Sequence, residues 1–348
     1  MREILKSKRV LLPAMNLSLA FRVVVILRRM GVLPYVLGPE GRASLFNTGH
    51  FARRYIAFDA EAMGYDQDPL LDALGPRFVE LLNEVCTRHA IDVVLPVDNT
   101  MIMTLARHRH LLAAGAALAP IPDEGLLRML HDKWAFSRLL ARLNLPQPAT
   151  RLLPTPKDVD KLDLSYPLVI KPVAHGGGLD VTRVADAEEA VLRVREHLAR
   201  FPGDRMIAQA WIDGEDFQVC VFAQAGEVRA WSMCAMRGKG VRAFIEVPEV
   251  IDYCRRIVKR TGYEGAIQFD LMQERATGEF RFLEANLRFP ASTYYHFRAG
   301  VNYVGLSLVA ALGHDVAQFF QPVRPLIIEQ SLLDGILVRG NDKLVAHT

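Results

Sequence analysis

The first forty residues alternate short apolar runs with one amphipathic stretch, and this alternation restricts the possible folds more than any other feature of the chain. Residues 10–12 (VLL) are apolar and end at Pro13. A helical pattern then covers about residues 17–30, and a second apolar run covers residues 34–37. Strand, helix and strand in this order form a βαβ unit, which requires a parallel sheet.

A second strand signal follows a second helical pattern. Residues 78–89 have helical spacing, and residues 92–96 (DVVLP) form a buried run that ends at a loop. We therefore predict that residues 1–120 form a doubly wound, Rossmann-like domain. The loop after the first strand, PAMNLSLA, has neither the glycine fingerprint of dinucleotide sites nor a P-loop. This domain is therefore expected to shape a substrate cleft or to serve only as structure.

The rest of the chain mixes helices with strands. Asp132 can cap a helix that runs to about Leu143, and a proline-rich linker follows it. We expect a fold of mixed α/β and α+β type, with a linker helix and small subdomain at 121–205, a larger subdomain at 206–320, and a tail of unknown role at 321–348. Strands are predicted at residues 167–172, 206–212, 216–222, 227–232, 266–273 and 280–286, helices at residues 186–198 and 253–261, and a short buried strand at residues 326–328.

Composition excludes several classes of protein. Apolar residues make up 51% of the 348 residues and charged residues 23%, which rules out a disordered chain. A net charge of +3 leaves no electrostatic footprint for nucleic acid. The four cysteines form no C-x-x-C pair, so they indicate neither a zinc site nor a disulfide framework, and four buried reduced thiols are expected. No apolar run reaches the roughly 18 residues of a membrane span, and no secretory signal is evident, so we expect a cytoplasmic protein.

Two apolar runs separated by a short turn predict a β-hairpin, because Gly278 suits the left-handed position of a three-residue loop. A hairpin centred on Thr277 places Asp270 opposite Glu284, with Cβ atoms roughly 5 Å apart. Asn286 lies two residues beyond Glu284 and shares its face. Neighbouring carboxylates in an apolar setting repel each other and lose solvation, and a hard cation relieves both penalties. Oxygen ligands alone predict Mg²⁺ or Mn²⁺.

A salt bridge from one of these carboxylates to Arg281 or Arg288 is the alternative to a metal. A second signal favours the metal. Lys171 lies in an almost continuous apolar run, where an ammonium needs an anionic partner. Three glycines follow it at residues 176–178, and glycines let backbone N–H groups approach a phosphate closely. Together these features predict a polyphosphate bound with Mg²⁺.

In six segments the chain resembles the ATP-grasp superfamily, and the likeness covers about residues 10–310. It implies an ATP-grasp architecture preceded by a doubly wound pre-ATP-grasp domain. The likeness is to ligases of the carboxylate–amine type, with metal strands similar to those of carbamoyl-phosphate synthetase and biotin carboxylase. The segments are DVVLPVDN (92–99), DKWAFSRLLARLNLPQPAT (132–150), PLVIKPVAHGGG (167–178), MIAQAWIDGEDFQV (206–219), AIQFDLMQ (266–273) and FLEANLRFPAS (282–292).

The resemblance implies an ATP site. Lys133 and Lys171 match the two lysines that hold the nucleotide phosphates, and Asp216 falls where the family places a ribose-binding acid. The backbone of the adenine hinge is expected to hold the adenine edge, while Trp211 either contacts the base or packs in the core. The hinge residues are Gln209, Ala210, Trp211 and Ile212, and the residues of the loop that folds over the phosphates are Gly176, Gly177 and Gly178.

The resemblance also implies a metal site and a catalytic arginine. Asp270, Glu284 and Asn286 match the family's Mg²⁺ ligands. Arg288 matches an arginine that faces the substrate carboxylate or the developing anion, and it is expected to act in catalysis with Lys171. Gln268 stands where members similar to D-alanine–D-alanine ligase have an arginine, which argues against that activity.

Two further groups of basic residues have open interpretations. The loop RGKGVR, which contains Arg237, Lys239 and Arg242, is expected to be either an active-site lid or a solvated basic loop. The implied chemistry requires no side-chain nucleophile. Four histidines are therefore interpreted as loop or surface residues, namely His108, His110, His175 and His296.

The resemblance implies an ADP-forming ligase. ATP would activate a substrate carboxylate as an acyl phosphate, and an amine of amino-acid type would displace the phosphate. The alternatives are a phosphotransferase that acts on a hydroxyl group and a non-catalytic nucleotide-binding module. The expected partners are small carboxylate and amine substrates, with ATP and Mg²⁺ (or Mn²⁺) as cofactors, and with neither nucleic acid nor membrane. The tail is expected either to pack on the body or to form contacts in a homodimer.

Overall fold

Three sheets make up the computed structural model, which describes residues 1–41, 46, 50–66, 72–175, 178, 180–238, 240–331, 335–340 and 343–346, with the backbone alone from residue 330 onward. One sheet is parallel and has five strands, while the other two are antiparallel and have four and eight strands. Within these ranges, no helix combines the length and the apolar character that crossing a bilayer requires.

The parallel sheet confirms the βαβ prediction. Its strands are β1 (Val10–Pro13), β2 (Tyr35–Pro39), β3 (Arg54–Phe58), β4 (Val93–Val94) and β5 (Ala117–Leu118), in the order β3-β2-β1-β4-β5. Its helices are α1 (Arg2–Leu5), α2 (Leu17–Arg29), α3 (Pro76–His89) and α4 (Asn99–Arg107), and a 3₁₀ helix covers Arg109–Leu111. Asn16 starts α2, because its side chain accepts a hydrogen bond from the Leu19 amide at 3.0 Å.

The four-stranded sheet contains the strand that was predicted at residues 167–172 and that carries Lys171. Its elements are α5 (Glu124–His131), α6 (Lys133–Arg142), β6 (Thr150–Leu153), a 3₁₀ helix (Pro156–Lys161), β7 (Leu168–Pro172), β8 (Thr182–Val184), α7 (Ala187–Arg200) and β9 (Met206–Ala210). The strand order is β6-β9-β7-β8, so β7 is an inner strand. Asp132 caps α6 as predicted, because its carboxylate accepts a hydrogen bond from the Ala135 amide at 2.8 Å.

The eight-stranded sheet contains the predicted hairpin. Its strands are β10 (Gly214–Gln224), β11 (Glu227–Met236), β12 (Val241–Ile245), β13 (Gly265–Glu274), β14 (Phe280–Asn286), β15 (Leu326–Ser331), β16 (Gly335–Gly340) and β17 (Lys343–Ala346), in the order β14-β13-β10-β11-β12-β15-β16-β17. Its helices are α8 (Pro248–Thr261), α9 (Thr293–Arg298), α10 (Tyr303–Ala311) and a 3₁₀ helix (Val316–Phe319). The strand predicted at residues 326–328 is confirmed, because β15 pairs with β12, but only Ile328 is buried, while Leu326 and Ile327 are partly exposed.

Aromatic packing holds α6 against the hairpin. Phe136 of α6 stacks on Phe269 of β13 with ring centroids 5.9 Å apart, and Phe282 of β14 meets Phe269 edge-on at 5.6 Å. All three side chains are buried. Such ring pairs contribute about 0.5–1.5 kcal/mol beyond the area they bury. This packing places the first residue of α6 beside β13 and β14.

Gly265 marks a close approach between the chain that leaves the parallel sheet and the first residue of β13. Its φ is +94°, and a Cβ at this position would lie 2.3 Å from the carbonyl oxygen of Pro120. Only glycine fits both the conformation and the space. The strand that carries Asp270 therefore begins directly against residues 120–121.

Candidate active site

The register of β13 and β14 places the two predicted acids together. Asp270 lies opposite Glu284, as the hairpin prediction requires. Nearer the turn, Leu271 pairs with Phe282, so Leu283 is an extra residue in β14 and forms a β-bulge. Without this bulge Asp270 would lie opposite Leu283. The predicted pair is correct, but it depends on a bulge that the turn residues do not reveal.

Amide side chains surround the Asp270 carboxylate. Asn286 Nδ2 donates to Asp270 Oδ2 at 2.8 Å, and Gln268 Nε2 donates to Asp270 Oδ1 at 2.5 Å. Gln218 of β10 lies opposite Asp270 on the other side of β13 and hydrogen-bonds the same carboxylate. Asn286 thus shares the face of the acid pair. Sequence reasoning missed Gln218, although its position follows once β10 is known to pair with β13.

The two acids titrate differently because their neighbours differ. Burial raises the pKa of Asp270 to about 7, and the charge of Glu284 adds to the rise. Burial also opposes ionisation of Glu284, but Lys133 and Lys171 outweigh it and hold the pKa of Glu284 below its ordinary value. Near neutral pH, Glu284 is therefore ionised while Asp270 retains part of its proton. A cation beside Asp270 would favour its charged form.

Lys133 reaches Glu284 from the first residue of α6. Its Nζ lies 3.3 Å from Glu284 Oε2 and donates to the carbonyl oxygen of His175 at 2.7 Å. The Lys133 amide also donates to the Val173 carbonyl at 2.9 Å. The side chain is only 5% exposed. Lys133 therefore connects the acid pair to the segment that leads into the glycine loop. The alternative to a metal, a salt bridge from one of the acids to Arg281 or Arg288, is not what the structure shows, because Lys133 pairs with Glu284 while Arg281 pairs with Glu274 and Glu279.

Lys171 enters the same cluster from β7. Its side chain is 6% exposed. Burial lowers its pKa to about 8, with Lys133 adding to the fall and Glu284 opposing it. Within the described ranges Lys171 has no direct ion pair, in contrast to Lys133. A buried cation of this kind is available to an anion that enters the site.

Arg288 lies two residues beyond Asn286 and faces the same cluster. Burial lowers its pKa, while the charges of Asp270, Glu284 and Asp98 oppose that fall. Its Nη1 donates to the Phe289 carbonyl at 3.1 Å. The guanidinium therefore lies between the acid pair and Asp98, at the end of the parallel sheet.

Asp98 is a residue of this cluster that sequence reasoning missed. It follows β4 and is 4% exposed. Its carboxylate accepts hydrogen bonds from the amides of Met15, Asn16 and Met101 at 2.7, 2.8 and 3.1 Å. Burial raises its pKa, although these bonds and Arg288 oppose the rise. Its position at the carboxyl end of a parallel strand, where ligands bind in such sheets, was the available signal.

His131 is a second missed residue. It ends α5, directly before the cap of α6, and burial lowers its pKa to about 4, with Lys133 adding to the fall. Its imidazole is therefore neutral at physiological pH. No pattern in the sequence distinguishes this histidine from the surface histidines.

The predicted adenine hinge lies between β9 and β10. The Ala210 amide already donates to the Ala149 carbonyl at 2.9 Å. Of the two predicted backbone groups, the Ile212 amide is the donor left for a ligand, since it has no partner in the described structure. Gln209 is 4% exposed and donates to Thr150 Oγ1 at 3.0 Å, so it holds the hinge to β6. The interpretation of Trp211 as a core residue is wrong, because its side chain is 41% exposed.

The remaining predicted nucleotide contacts lie on either side of the cluster. Gly176 and Gly177 lie outside the described residues, and Gly178 has a φ of +77°, a conformation that favours glycine. Asp216 lies on β10, two residues before Gln218 and on the same face of the sheet. Its carboxylate is reached by solvent, but partial burial raises its pKa.

Two interpretations of basic residues need correction. His296 is neither a loop nor a surface residue, because it lies in α9 with no exposure. Arg242 lies in β12 rather than in a solvated loop, and its guanidinium carbon lies 5.1 Å from the ring centroid of Tyr295. Its register places Arg242 on the face of the sheet that carries Asp270. Lys239 lies outside the described residues. All four cysteine thiols are free, but only Cys220, Cys234 and Cys254 are buried, because Cys86 is partly exposed.

Comparisons with known proteins agree with the resemblance drawn from the sequence. Residues 203–331 match the family model described as ATP-grasp in the biosynthetic pathway with Ter operon. The chain is 34% identical over 90 residues to the D-alanine–D-alanine ligase of Halorhodospira halophila, a match that covers 26% of this chain and 29% of that protein. It is 27% identical over 203 residues to the carbamoyl phosphate synthase large chain of Thermoanaerobacter sp. strain X514, covering 53% of this chain and 18% of that protein. The matched part of the chain thus spans less than a third of the length of these relatives.

A solved structure extends the likeness to the whole fold. The L-amino acid ligase from Bacillus licheniformis superposes with a TM-score of 0.69 at 19% identity, and the match covers 93% of this chain and 80% of that one. The three sheets described above therefore form an ATP-grasp fold with a doubly wound sheet before it, and the predicted fold class is confirmed.

Proposed function

We propose that this chain, a member of the ATP-grasp superfamily, is an ADP-forming ligase that activates a carboxylate as an acyl phosphate and joins it to an amine. The observation that carries the proposal is the cluster in which Lys133 contacts Glu284 at 3.3 Å beside Asp270, with Lys171 and Arg288 facing the same acids. Cations and acids that converge in this way suit a metal-bound polyphosphate and an incoming carboxylate.

The acid–amide cluster fits Mg²⁺. Asp270, Glu284 and Asn286 offer oxygen atoms on one face of the hairpin, and the raised pKa of Asp270 supports a site that takes up added positive charge. These three residues would hold the ion. When bound, Mg²⁺ supplies charge neutralisation for the β- and γ-phosphates. Mn²⁺ has the same ligand preference.

The nucleotide contacts follow from the fold. Lys133 and Lys171 would bind the phosphates, and Gly176, Gly177 and Gly178 would cover them. The adenine edge would bind the backbone at Ala210 and Ile212, while the ribose would meet Asp216. Asp216 and Asp270 lie on one face of the sheet, which places the proposed ribose and phosphate contacts side by side.

The reaction needs positioning and charge stabilisation rather than a protein nucleophile. Arg288 would orient the substrate carboxylate, and one carboxylate oxygen would attack the γ-phosphorus. The bond between this phosphorus and the bridging oxygen breaks, which leaves ADP and an acyl phosphate. The amine nitrogen then attacks the acyl carbon, and phosphate leaves. Closure of the glycine loop would exclude water, which would otherwise hydrolyse the intermediate.

The names of the relatives support an amine of amino-acid type, because two of them are called ligases of alanine or of L-amino acids. Gln268 still argues against D-alanine–D-alanine ligase activity, since an uncharged side chain occupies the position of the family arginine and hydrogen-bonds Asp270. A homodimer stays a prediction, as do the domain boundaries at residues 120, 205 and 320.

The test is a screen for ATP consumption. The purified chain with ATP and Mg²⁺ is incubated with pairs of amino acids and small carboxylic acids, and ADP and phosphate are measured. We expect equal amounts of both, only when a carboxylate and an amine are present together. Glu284→Gln should keep the fold but lose at least 10²-fold in turnover, a loss typical of one transition-state contact.

Three outcomes contradict the proposal. Release of AMP and pyrophosphate would require a different activation step. A phosphorylated product without free phosphate would indicate the phosphotransferase. Binding of MgATP with no turnover across the screen would indicate a nucleotide-binding module.

A further inference from the structure

Two histidines and one aspartate converge at the start of the glycine loop, outside the candidate active site. His175 Nε2 and His197 Nε2 lie 2.6 and 2.9 Å from the same atom, Asp204 Oδ2. The three ligand atoms lie within 4.8 Å of one another. The residues come from three segments, because His175 follows β7, His197 lies in α7 and Asp204 precedes β9. The three residues are therefore brought together by the fold and not by a short spacing in the sequence.

The cluster is shielded from water. The His197 side chain is 1% exposed, that of Asp204 is 7% exposed and that of His175 is 21% exposed. The Phe201 ring packs against both imidazoles, with centroid distances of 4.9 and 5.0 Å. Polar groups buried against an aromatic wall need partners that satisfy all of them.

Both ring nitrogens of His197 lie against carboxylate oxygens. Its Nε2 faces Asp204, and its Nδ1 lies 2.7 Å from Asp180 Oδ2. A neutral imidazole carries one N–H, so it cannot donate to both carboxylates. A metal ion bound at Nε2 would leave Nδ1 as the nitrogen that donates to Asp180. Histidines that bind metals donate their other ring N–H to a carboxylate, which is the position of Asp180 here. Asp180 is in turn paired with Arg200.

We propose that His175, His197 and Asp204 form a Zn²⁺ site that is separate from the Mg²⁺ site. Two imidazole nitrogens and one carboxylate oxygen favour zinc over magnesium, which prefers oxygen ligands alone. Zinc–ligand bonds of about 2.0–2.2 Å in a tetrahedron require the Asp204 oxygen to move away from the imidazoles by about half an ångström. Water would take the fourth position.

The ion would fix the residue from which the glycine loop begins. The carbonyl oxygen of His175 accepts a hydrogen bond from Lys133 Nζ at 2.7 Å, so a bound ion would also hold the acceptor of that lysine. The site would tie the end of β7, the C-terminal part of α7 and the segment before β9 into one unit. Its role is to position the start of the loop, and it takes no part in the chemistry.

The experiment measures metal content and needs no turnover. The untagged full chain is purified in the absence of chelators, and zinc is measured by mass spectrometry. We expect about one zinc ion per chain, and less than about one tenth of that in Asp204→Asn and in His175→Ala. His110→Ala, which removes an exposed histidine far from the cluster, should keep the wild-type content. If Asp204→Asn does not fold, His175→Ala carries the test, because its side chain is partly exposed.

A second measurement uses Zn²⁺ alone as the probe. After removal of metal, added Zn²⁺ should raise the melting temperature of the wild type by several degrees, since a ligand that binds only the folded state stabilises it. The same addition should leave Asp204→Asn unchanged. A wild-type chain that holds no zinc and shows no such shift would overturn the proposal. Neither readout uses ATP, so this failure is distinct from failure of the proposed ligase.

Discussion

Two buried polar clusters on the eight-stranded sheet are built in opposite ways. Around His296 each ring nitrogen has a neutral partner, with Ser232 Oγ at 2.8 Å from Nδ1 and Ser292 Oγ at 3.2 Å from Nε2. Around Asp270 and Glu284, two acids lie side by side and two lysines compete for one of them. The first cluster pairs neutral groups with one another, whereas the second gathers buried charges of both signs.

The pKa values express this difference. Burial lowers the pKa of His296 to about 3, so the ring stays neutral and its hydroxyl partners suffice. Burial raises the pKa of Asp270 to about 7, and it lowers that of Lys171 to about 8, so charges remain in the second cluster close to their titration points. Function is expected where charges are buried without complete pairing. Three experiments on these clusters test this contrast, and a fourth, on the hinge, has the smallest expected effect.

The largest expected effect is on turnover in Lys171→Met. Methionine fills similar space without the charge, so ATP turnover should fall by at least about 10²-fold, while stability should hold or rise because a desolvated ammonium is removed. The measurements are ADP release and chemical denaturation. Lys259→Met, at an exposed position of α8, is the matched control and should change neither. Normal turnover in Lys171→Met would show that the charge of Lys171 is not needed for catalysis.

The reverse pattern is expected for His296→Ala. The substitution leaves a cavity in the core and strands the hydroxyls of Ser232 and Ser292, so it should destabilise the chain by about 2–4 kcal/mol. In the folded protein, kcat/KM should change less than about 3-fold. Denaturant unfolding and kinetics at low temperature measure the two effects. A large loss of kcat/KM without a loss of stability would mean that the two clusters act as one unit, through Ser292 and Gln218, which are hydrogen-bonded at 2.9 Å.

The pH dependence of stability should also reveal His296. Its pKa is about 6.5 in the unfolded chain and about 3 in the fold, so the unfolded state binds the proton first as the pH falls. Stability should therefore decline from pH 6.5 downward, with a contribution of about 1.4 kcal/mol per pH unit from this residue. His296→Gln should make the decline shallower by that amount. An unchanged slope in His296→Gln would contradict a neutral buried imidazole.

The smallest effect is expected for Trp211→Ala. The side chain is 41% exposed, and the proposed adenine contacts are made by backbone groups. Stability should change by less than about 0.5 kcal/mol and the KM for ATP by less than about 3-fold. A 10-fold or larger rise in KM would show that the indole stacks on the base.

The sequence predicts those parts of the site that follow from local pairing. A hairpin could be predicted from the turn at Gly278, because the loop sets which strands pair. The assumed centre at Thr277 gave the correct pair of Asp270 and Glu284 only because a bulge shifts the register by one residue. The bulge at Leu283 has no local signature. The contact between Lys133 and Glu284 could not be predicted, because it depends on the packing of Phe136 against Phe269.

Residues that a distant sheet or helix brings to these clusters were the hardest to predict from the sequence. Asp98 belongs to the parallel sheet, and its proximity to Arg288 arises from the way that sheet meets the hairpin. His296 looked like a surface residue because it sits in TYYHFR, a helix too short to show a periodic apolar face. In both cases the deciding information is the arrangement of distant segments, which one sequence does not contain.

The pairing of β15 with β12 has a consequence for any shortened form of the chain. Four residue pairs join the two strands, and β12 is the strand that carries Arg242. Removing the residues after Pro325 would leave β12 as an open edge with a row of unsatisfied amides and carbonyls, which invites pairing with another molecule. A chain trimmed at this point would keep all of its proposed catalytic side chains. Its activity would be limited by self-association rather than by the loss of a catalytic group.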